Sequence, residues 1–335
     1  MNTKLFVVSQ IPNIGNLLRN EIIKRAPESN GRLESVEVVV VKLQQKGNEI
    51  SFSRNLTLTH EDFKQLKSAE ILLVDNNLLP SVIKAIDNEA YRPLLGSLKW
   101  IQTSWAGVSE IFQDNIPDVV KKNSLTLTRF SGPSFGQAMT EYVLGQILNY
   151  ERSFYYLYSS TTIQKQCFQV SKKLAGMGMK MSAFGRSERS EEEIKQFGFE
   201  KYSTNLQELL PHADYIISIM PATPFTTDLL GNDILSICQN KKPVLINVGR
   251  GNLISEEDII KALDQGWIRY AILDVFRTEP LPSTSPLWTR EDVLITPHVS
   301  ATTRGCDVVK LFVENYLHYV DRKPLQYVIN FDEGY

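Results

Sequence analysis

Three short stretches of this 335-residue chain place reactive side chains just past apolar runs. "INVGRG" leaves Arg250 in a Gly-flanked turn, "LDVFRTEP" carries Asp274 and Glu279, and "ITPHVSATT" carries His298. A guanidinium keeps its charge and grips a carboxylate or carbonyl through paired N–H groups. An imidazole gives up a proton near neutral pH and takes it back in the reverse direction. A carboxylate beside that ring fixes its tautomer and favours its charged form. Together these groups describe reduction of a 2-oxo acid to a 2-hydroxy acid, the proton reaching oxygen as a hydride reaches carbon. Taken singly, each has an ordinary explanation: a loop histidine is often structural, Arg250 reads as a surface arginine and Glu279 before Pro280 as a turn residue. Of the other histidines, His60, His212 and His318, His212 in "LLPHAD" closes a helix and His318 lies on an amphipathic one. The case for chemistry is that all three groups fall at strand ends within one half of the chain.

Those strand ends belong to an alternating pattern. "KLFVVSQ", "VEVVVVKL", "ILLVDNN", "LKWIQTS" and "LTLTRFSG" read as strands, with helical "LPSVIKAIDN" among them. From Ser134, a candidate N-cap, to about Tyr158 the apolar spacing is helical. The second half reads as strand "MKMSAFGRS", helix "SEEEIKQFGF", helix "NLQELLPHA", strand "DYIISIMP" and helix "DLLGNDILSICQ". Strand "PVLINVGRG", helix "SEEDIIKALDQG", strands "RYAILDVF" and "DVLITPH", and a closing amphipathic helix "CDVVKLFVENYLHYVDRKP" follow. Alternating strands and helices imply parallel sheets with crossover helices. The fold class is therefore α/β, two doubly wound domains, residues 1–133 with 305–335 and residues 134–304. Ligands of such sheets collect at the carboxyl ends of the strands.

Composition bounds the partners. A length of 335 suits two domains of roughly 150 residues each. The chain is 42% hydrophobic and 22% charged with a formal net charge of -2, which gives no reason to expect nucleic acid or an anionic membrane. Cys167, Cys238 and Cys306 are too few and too scattered for a disulfide framework or a metal knuckle, so a reducing cytoplasmic setting and no metal are expected. "MNTKLFVVSQIPNIG" reads as a first strand, not a signal peptide, and no window approaches the ~20 apolar residues of a membrane span.

"LINVGRGNLISEEDIIKALDQGWIRYAILDVFRTEPLP" followed by "SPLWTREDVLITPHVSATT" closely resembles the D-isomer-specific 2-hydroxyacid dehydrogenases, and among them the glyoxylate/hydroxypyruvate reductases. The resemblance implies a flavodoxin-like substrate domain and a Rossmann-type dinucleotide domain. It implies that Arg250 binds the substrate's carboxyl and keto groups and that Glu279 pairs with the proton donor His298. It also places Asp274 beside the nicotinamide amide. "LKWIQTSWAGVSEIF" resembles the loop whose backbone amides hold the substrate carboxylate, here Ala106, Gly107 and Val108. "IMPATPFTTDLL" resembles a loop over the cofactor, with Pro221, Thr223 and Thr226, and Val248 joins the cofactor contacts. At the end of "MKMSAFGRS", Arg186 and Ser187 suit a 2′-phosphate, so NADPH is expected ahead of NADH. A small 2-oxo or 2-hydroxy acid is the expected partner, and a homodimer the expected assembly.

One part of this pattern is missing. A phosphate-binding G-x-G-x-x-G should follow a strand and open the helix before "MKMSAFGRS". "AGMGMKM" offers Gly176 and Gly178 but Met181 in third place, and its glycines end a helix instead of opening one. The 13 residues between Tyr158 and Lys172 leave no room for the linker, strand and glycine loop of the family, a piece of roughly two dozen residues. "QCFQV" is the one substitute strand in view. The expected consequence is an unpaired edge between "MKMSAFG" and "DYIISIM". This keeps a second reading open, a catalytically inactive or truncated relative that acts as a binding or interaction protein.

Overall fold

The computed structural model describes residues 3–41, 43, 58–112, 116–151 and 174–331. The chain divides into two compact units, Met1–Gly132 with Thr303–Tyr335, and Pro133–Thr302.

The first unit is a parallel sheet of β1 (Thr3–Val8), β2 (Val36–Val40), β3 (Ile71–Val74), β4 (Trp100–Thr103) and β5 (Thr126–Thr128) in the order β2-β1-β3-β4-β5. That is a flavodoxin-like order, with the switch point between β1 and β3. Helices α1 (Ile14–Arg25), α2 (His60–Gln65), α3 (Leu79–Ile86), α4 (Arg92–Leu95) and α5 (Ile116–Lys122) connect the strands. Successive strand side chains point to opposite faces, so Phe6, Val8, Leu72, Val74, Ile101 and Leu127 enter one core with Val82 and Ile83 of α3 and Val119 of α5. On the other face Trp100 meets Phe312 of the last helix, Gly305–Val320, at 5.2 Å between ring centroids.

The second unit contains α6 (Pro133–Glu151), β6 (Ser182–Phe184), α7 (Glu191–Gln196), β7 (Lys201–Ser203), β8 (Tyr215–Ser218), β9 (Val244–Asn247), α8 (Glu256–Asp264), β10 (Tyr270–Leu273) and β11 (Val293–Ile295). Its main sheet runs β11-β10-β9-β8, all parallel. Leu245, Ala271 and Leu273 pack into one core with Ile259, Ala262 and Leu263 of α8. Val244, Ile246 and Ile272 pack on the opposite face with Met139, Val143 and Ile147 of α6. As its first-turn acids imply, α8 opens on an N-cap, Ser255, whose hydroxyl accepts the Asp258 N–H.

Strands β6 and β7 form a separate two-stranded sheet. Among the described residues no strand pairing joins β6 to β8, which is where the sequence implies a missing central strand. Stacked rings of Phe184 and Phe225, 6.2 Å apart, instead link the end of β6 to the loop after β8.

Some elements differ from the expectation. Residues 205–213 form two 3₁₀ turns, Leu206–Glu208 and Leu210–His212, because Pro211 lacks the N–H that a continued helix needs. Residues 228–239 are turns ending in a 3₁₀ segment, Ile234–Cys238, since Asn232 and Asp233 take left-handed backbone (φ 52° and 63°). Strand β7 has no counterpart in the sequence reading. Helix α6 begins at Pro133, whose fixed φ suits a first helical position, so Ser134 stands inside the helix and is not its cap. "QCFQV" and the segment between Tyr158 and Lys172 lie outside the described residues.

Candidate active site

Arg250, Asp274 and His298 follow three neighbouring strands, β9, β10 and β11. The loops carrying them are held by backbone fit and by one buried carboxylate.

The turn after β9 has no room for side chains on either side of Arg250. A Cβ on Gly249 would stand 2.7 Å from the Met220 backbone nitrogen, and one on Gly251 1.9 Å from the Phe276 carbonyl carbon. The Arg250 loop is thus packed directly on the backbone of the loop leading to Glu279. Buried Asn247 ties the turn, its Oδ1 accepting the Gly249 N–H (3.2 Å) and its Nδ2 donating to the Arg250 carbonyl (3.1 Å). The sequence reading missed Asn247, although a polar residue ending an apolar strand was the available signal. Arg250 is half-buried and extended, with Nη1 donating to the Gly249 carbonyl at 2.8 Å.

Asp274 is 0% exposed. Its Oδ1 accepts the Thr296 hydroxyl (2.5 Å) and the Val299 N–H (2.9 Å), and its Oδ2 accepts the Ser300 N–H (2.8 Å). Tyr142 of α6 meets the Thr296 hydroxyl at 2.5 Å. With Thr296 donating to Asp274, the Tyr142 hydroxyl is the donor in that contact. Asp274 therefore serves the histidine loop directly, a role the sequence did not reveal. Its backbone carbonyl also accepts the His298 N–H at 2.9 Å. His298 needs this support because its φ is 54°, a left-handed conformation that costs an ordinary residue about 1–3 kcal/mol.

His298 Nδ1 stands 2.9 Å from Glu279 Oε2. Glu279 is itself fixed, its Oε1 accepting the Phe276 N–H at 3.0 Å. The Glu279 side chain is 17% exposed and that of His298 46%, so the carboxylate is sheltered while the ring faces outward. This arrangement can deliver a proton from an accessible imidazole held by a fixed carboxylate.

The remaining residues are placed as follows. Arg186 and Ser187 are exposed on the turn after β6. Tyr202 fixes that turn from beneath: its hydroxyl donates to the Ser187 carbonyl (2.7 Å), and a Cβ on Gly185 would strike it. Pro221 is exposed, whereas Thr226 is buried, its hydroxyl donating to the Pro221 carbonyl (2.7 Å) and accepting the Thr223 N–H (2.9 Å). Thr226 thus braces the loop 221–226. Val248 is buried at the end of β9, its N–H donating to the Ser218 carbonyl (3.0 Å). Ala106, Gly107 and Val108 lie in the first unit, after β4.

Residues 167–300 match the family described as D-isomer specific 2-hydroxyacid dehydrogenase, NAD binding domain. The chain is 28% identical over 262 residues to glyoxylate/hydroxypyruvate reductase A of Klebsiella pneumoniae (strain 342), covering 71% of this chain and 82% of that protein. It superposes with a TM-score of 0.70 and 27% identity on a D-isomer specific 2-hydroxyacid dehydrogenase family protein from Aeromonas salmonicida, covering 99% and 100% of the two chains. An NADPH-dependent glyoxylate/hydroxypyruvate reductase from Sinorhizobium meliloti, solved with NADP and sulfate, has the same fold at 22% identity, TM-score 0.67, with 99% and 100% covered. The chain is homologous to the glyoxylate/hydroxypyruvate reductases, which are oxidoreductases, and its residues 167–300 match the NAD binding domain of the D-isomer specific 2-hydroxyacid dehydrogenases.

Among the described residues, the loops that would meet the two ends of a dinucleotide are present in this unit. The Arg186 turn and the loops of Val248, Asp274 and Pro221–Thr226 are formed. No glycine loop that could cradle a pyrophosphate is present among the described residues, and the sequence holds no glycine between Gly145 and Gly176. Gly178, at φ 88°, terminates a helix, with Met179 N–H donating to the Leu174 carbonyl and Gly178 N–H to that of Ala175. That pair of bonds is the Schellman ending of a helix, not a phosphate-binding start.

Proposed function

We propose that the chain is an NAD(P)H-dependent reductase of a small 2-oxo acid, glyoxylate or hydroxypyruvate, with NADPH the preferred cofactor. The observation that carries this reading is the His298–Glu279 pair, 2.9 Å apart, with the loop leading to Glu279 packed on the Arg250 turn. Reduced nicotinamide, when bound, supplies a hydride to C2 of the acid. His298 gives its proton to the keto oxygen, and Glu279 holds the charged ring in place. Arg250 binds the keto and carboxylate oxygens and stabilises the charge that develops on oxygen. Ala106, Gly107 and Val108 offer backbone N–H groups to the carboxylate. Arg186 and Ser187 take the 2′-phosphate, and Pro221, Thr226, Val248 and Asp274 shape the rest of the cofactor site. The reading extends to a cytoplasmic homodimer. Among the described residues no helix is long and apolar enough to cross a membrane.

The lack of a G-x-G-x-x-G in the sequence and the separation of β6 and β7 from the main sheet among the described residues favour a second reading, a family member that has lost catalysis and works by binding. Titrating purified protein with NADPH and with NADH, followed by tryptophan fluorescence, separates the two. Saturable binding, tighter for NADPH, with turnover of hydroxypyruvate or glyoxylate supports the reductase. A cooperatively folded protein that binds neither cofactor is the non-catalytic relative.

A further inference from the structure

The loop after β4 has a one-sided hydrogen-bond account. The carbonyls of Trp105, Ala106, Gly107 and Val108 are all engaged, by Thr103 Oγ1 (3.2 Å), Arg129 Nη1 (3.1 Å), Asn76 Nδ2 (2.5 Å) and the Ile111 N–H (3.1 Å). The N–H groups of Ser104 and Trp105 are engaged too, by the Val74 carbonyl (3.0 Å) and Asn76 Oδ1 (2.9 Å). The next three, on Ala106, Gly107 and Val108, meet no acceptor among the described residues. Ala106 and Val108 are buried. A buried N–H without an acceptor is rare and costs about 1–3 kcal/mol. Three in succession, with their carbonyls engaged elsewhere, are the makings of an anion cradle.

Asn76 is what holds that loop. It follows β3, is 0% exposed, and uses both ends of its amide on two different peptide units, accepting from Trp105 and donating to Gly107. A side-chain amide does both from one planar group without carrying a charge. An aspartate would lose the donor and place a like charge near the anion. Its neighbour Asp75 works alongside, its carboxylate accepting the Ser9 and Ser104 hydroxyls (2.7 and 2.6 Å) and the Gln10 N–H (2.5 Å). These two residues tie together the carboxyl ends of β1, β3 and β4 at the switch point of the sheet.

We propose that Asn76 is the positioning residue of a carboxylate site formed by the N–H groups of Ala106, Gly107 and Val108. It orients the Trp105–Gly107 peptides and does not itself touch the anion. This rests on the reading above that the loop takes the substrate carboxylate.

The test titrates the full chain with oxalate by calorimetry and records Tm for each variant. Asn76→Ala should weaken oxalate at least about tenfold, the loss of one to two hydrogen-bonded restraints. Asn315→Ala is the control, because it removes buried bonds to Gln102 and Gln326 in the same unit. It should lower Tm and leave oxalate affinity within a factor of about two. Equal oxalate affinity in wild type and Asn76→Ala overturns the positioning role alone. No oxalate binding by wild type overturns the carboxylate site itself, and with it that part of the proposed function. If Asn76→Ala does not fold, Asn76→Ser, which adds no charge near the anion and is too short to hold both peptide units, is read by the same criteria.

Discussion

Glu279 holds His298 by its Nδ1, at 2.9 Å from Oε2, while the other carboxylate oxygen is fixed by the Phe276 N–H. The ring is therefore restrained on one side only, and Nε2 is the nitrogen left to meet a substrate. His298→Ala should lower kcat by about 10²–10⁴-fold, the usual contribution of a positioned acid–base group. Because the ring is half-exposed, Tm should move little. Steady-state reduction of hydroxypyruvate with a parallel melting curve checks this. Near-full turnover in the variant would remove His298 from the chemistry.

Gly251 can be replaced only by moving backbone. A methyl group there would stand 1.9 Å from the Phe276 carbonyl carbon and 2.3 Å from the Arg277 nitrogen. Gly251→Ala should cost about 1–3 kcal/mol, as overpacking commonly does. It should also displace Arg250 relative to Glu279, raising KM and lowering kcat together. Chemical denaturation and kinetics on the same preparation report both. A variant of unchanged stability would show that the two loops do not rest on each other.

Much of this was legible in the sequence, because strands and reactive residues sit where period and punctuation put them. "LINVGRG", "AILDVF" and "VLITPH" each pair an apolar run with a polar residue just past it, and they became β9, β10 and β11 with Arg250, Asp274 and His298 following. The flanking acids of "SEEDII" likewise marked the start of α8. What failed were segments decided by single-residue backbone choices. Left-handed Asn232 and Asp233 turned an apparent helix into 3₁₀ structure, and β7 is only three residues long. Long-range polar clamps were invisible for another reason. Nothing about Asn76 in the sequence says that it will hold the Trp105 and Gly107 peptide groups, 29 and 31 residues on.

Burial pushes the Asp75 carboxyl above its ordinary value, and the donors Ser104, Gln10 and Ser9 offset only part of that. A carboxyl raised in the folded state binds its proton more tightly there than in the unfolded chain. Its contribution to stability is fully present below the unfolded value of about 3.9 and is lost as pH rises through the folded one. Asp75→Asn removes this titration while keeping the contacts, since Oδ1 can accept from Gln10 and the Ser9 and Ser104 hydroxyls can turn to accept from Nδ2. The Tm of the variant relative to wild type should therefore rise between pH 4 and pH 7. Each pH unit of displacement corresponds to about 1.4 kcal/mol. Calorimetric melts across that range decide it, and a difference that stays flat with pH rejects the assignment.

Cofactor affinity should carry the mark of the missing cradle. In a complete dinucleotide fold the glycine loop and a helix N-terminus hold the pyrophosphate, so the whole cofactor binds much better than its adenosine end. Here the sequence has no glycine from residue 146 to residue 175, and on the proposed reading the exposed Arg186 turn anchors the adenosine phosphate. Adenosine 2′,5′-bisphosphate should then bind within a factor of about five of NADPH, a difference of about 1 kcal/mol. Arg186→Ala should weaken both by about tenfold and bring NADPH level with NADH. Competition titrations of wild type and variant with NADPH, NADH and the bisphosphate measure all six affinities. NADPH binding far tighter than the bisphosphate would mean that other groups of this chain have taken over the pyrophosphate.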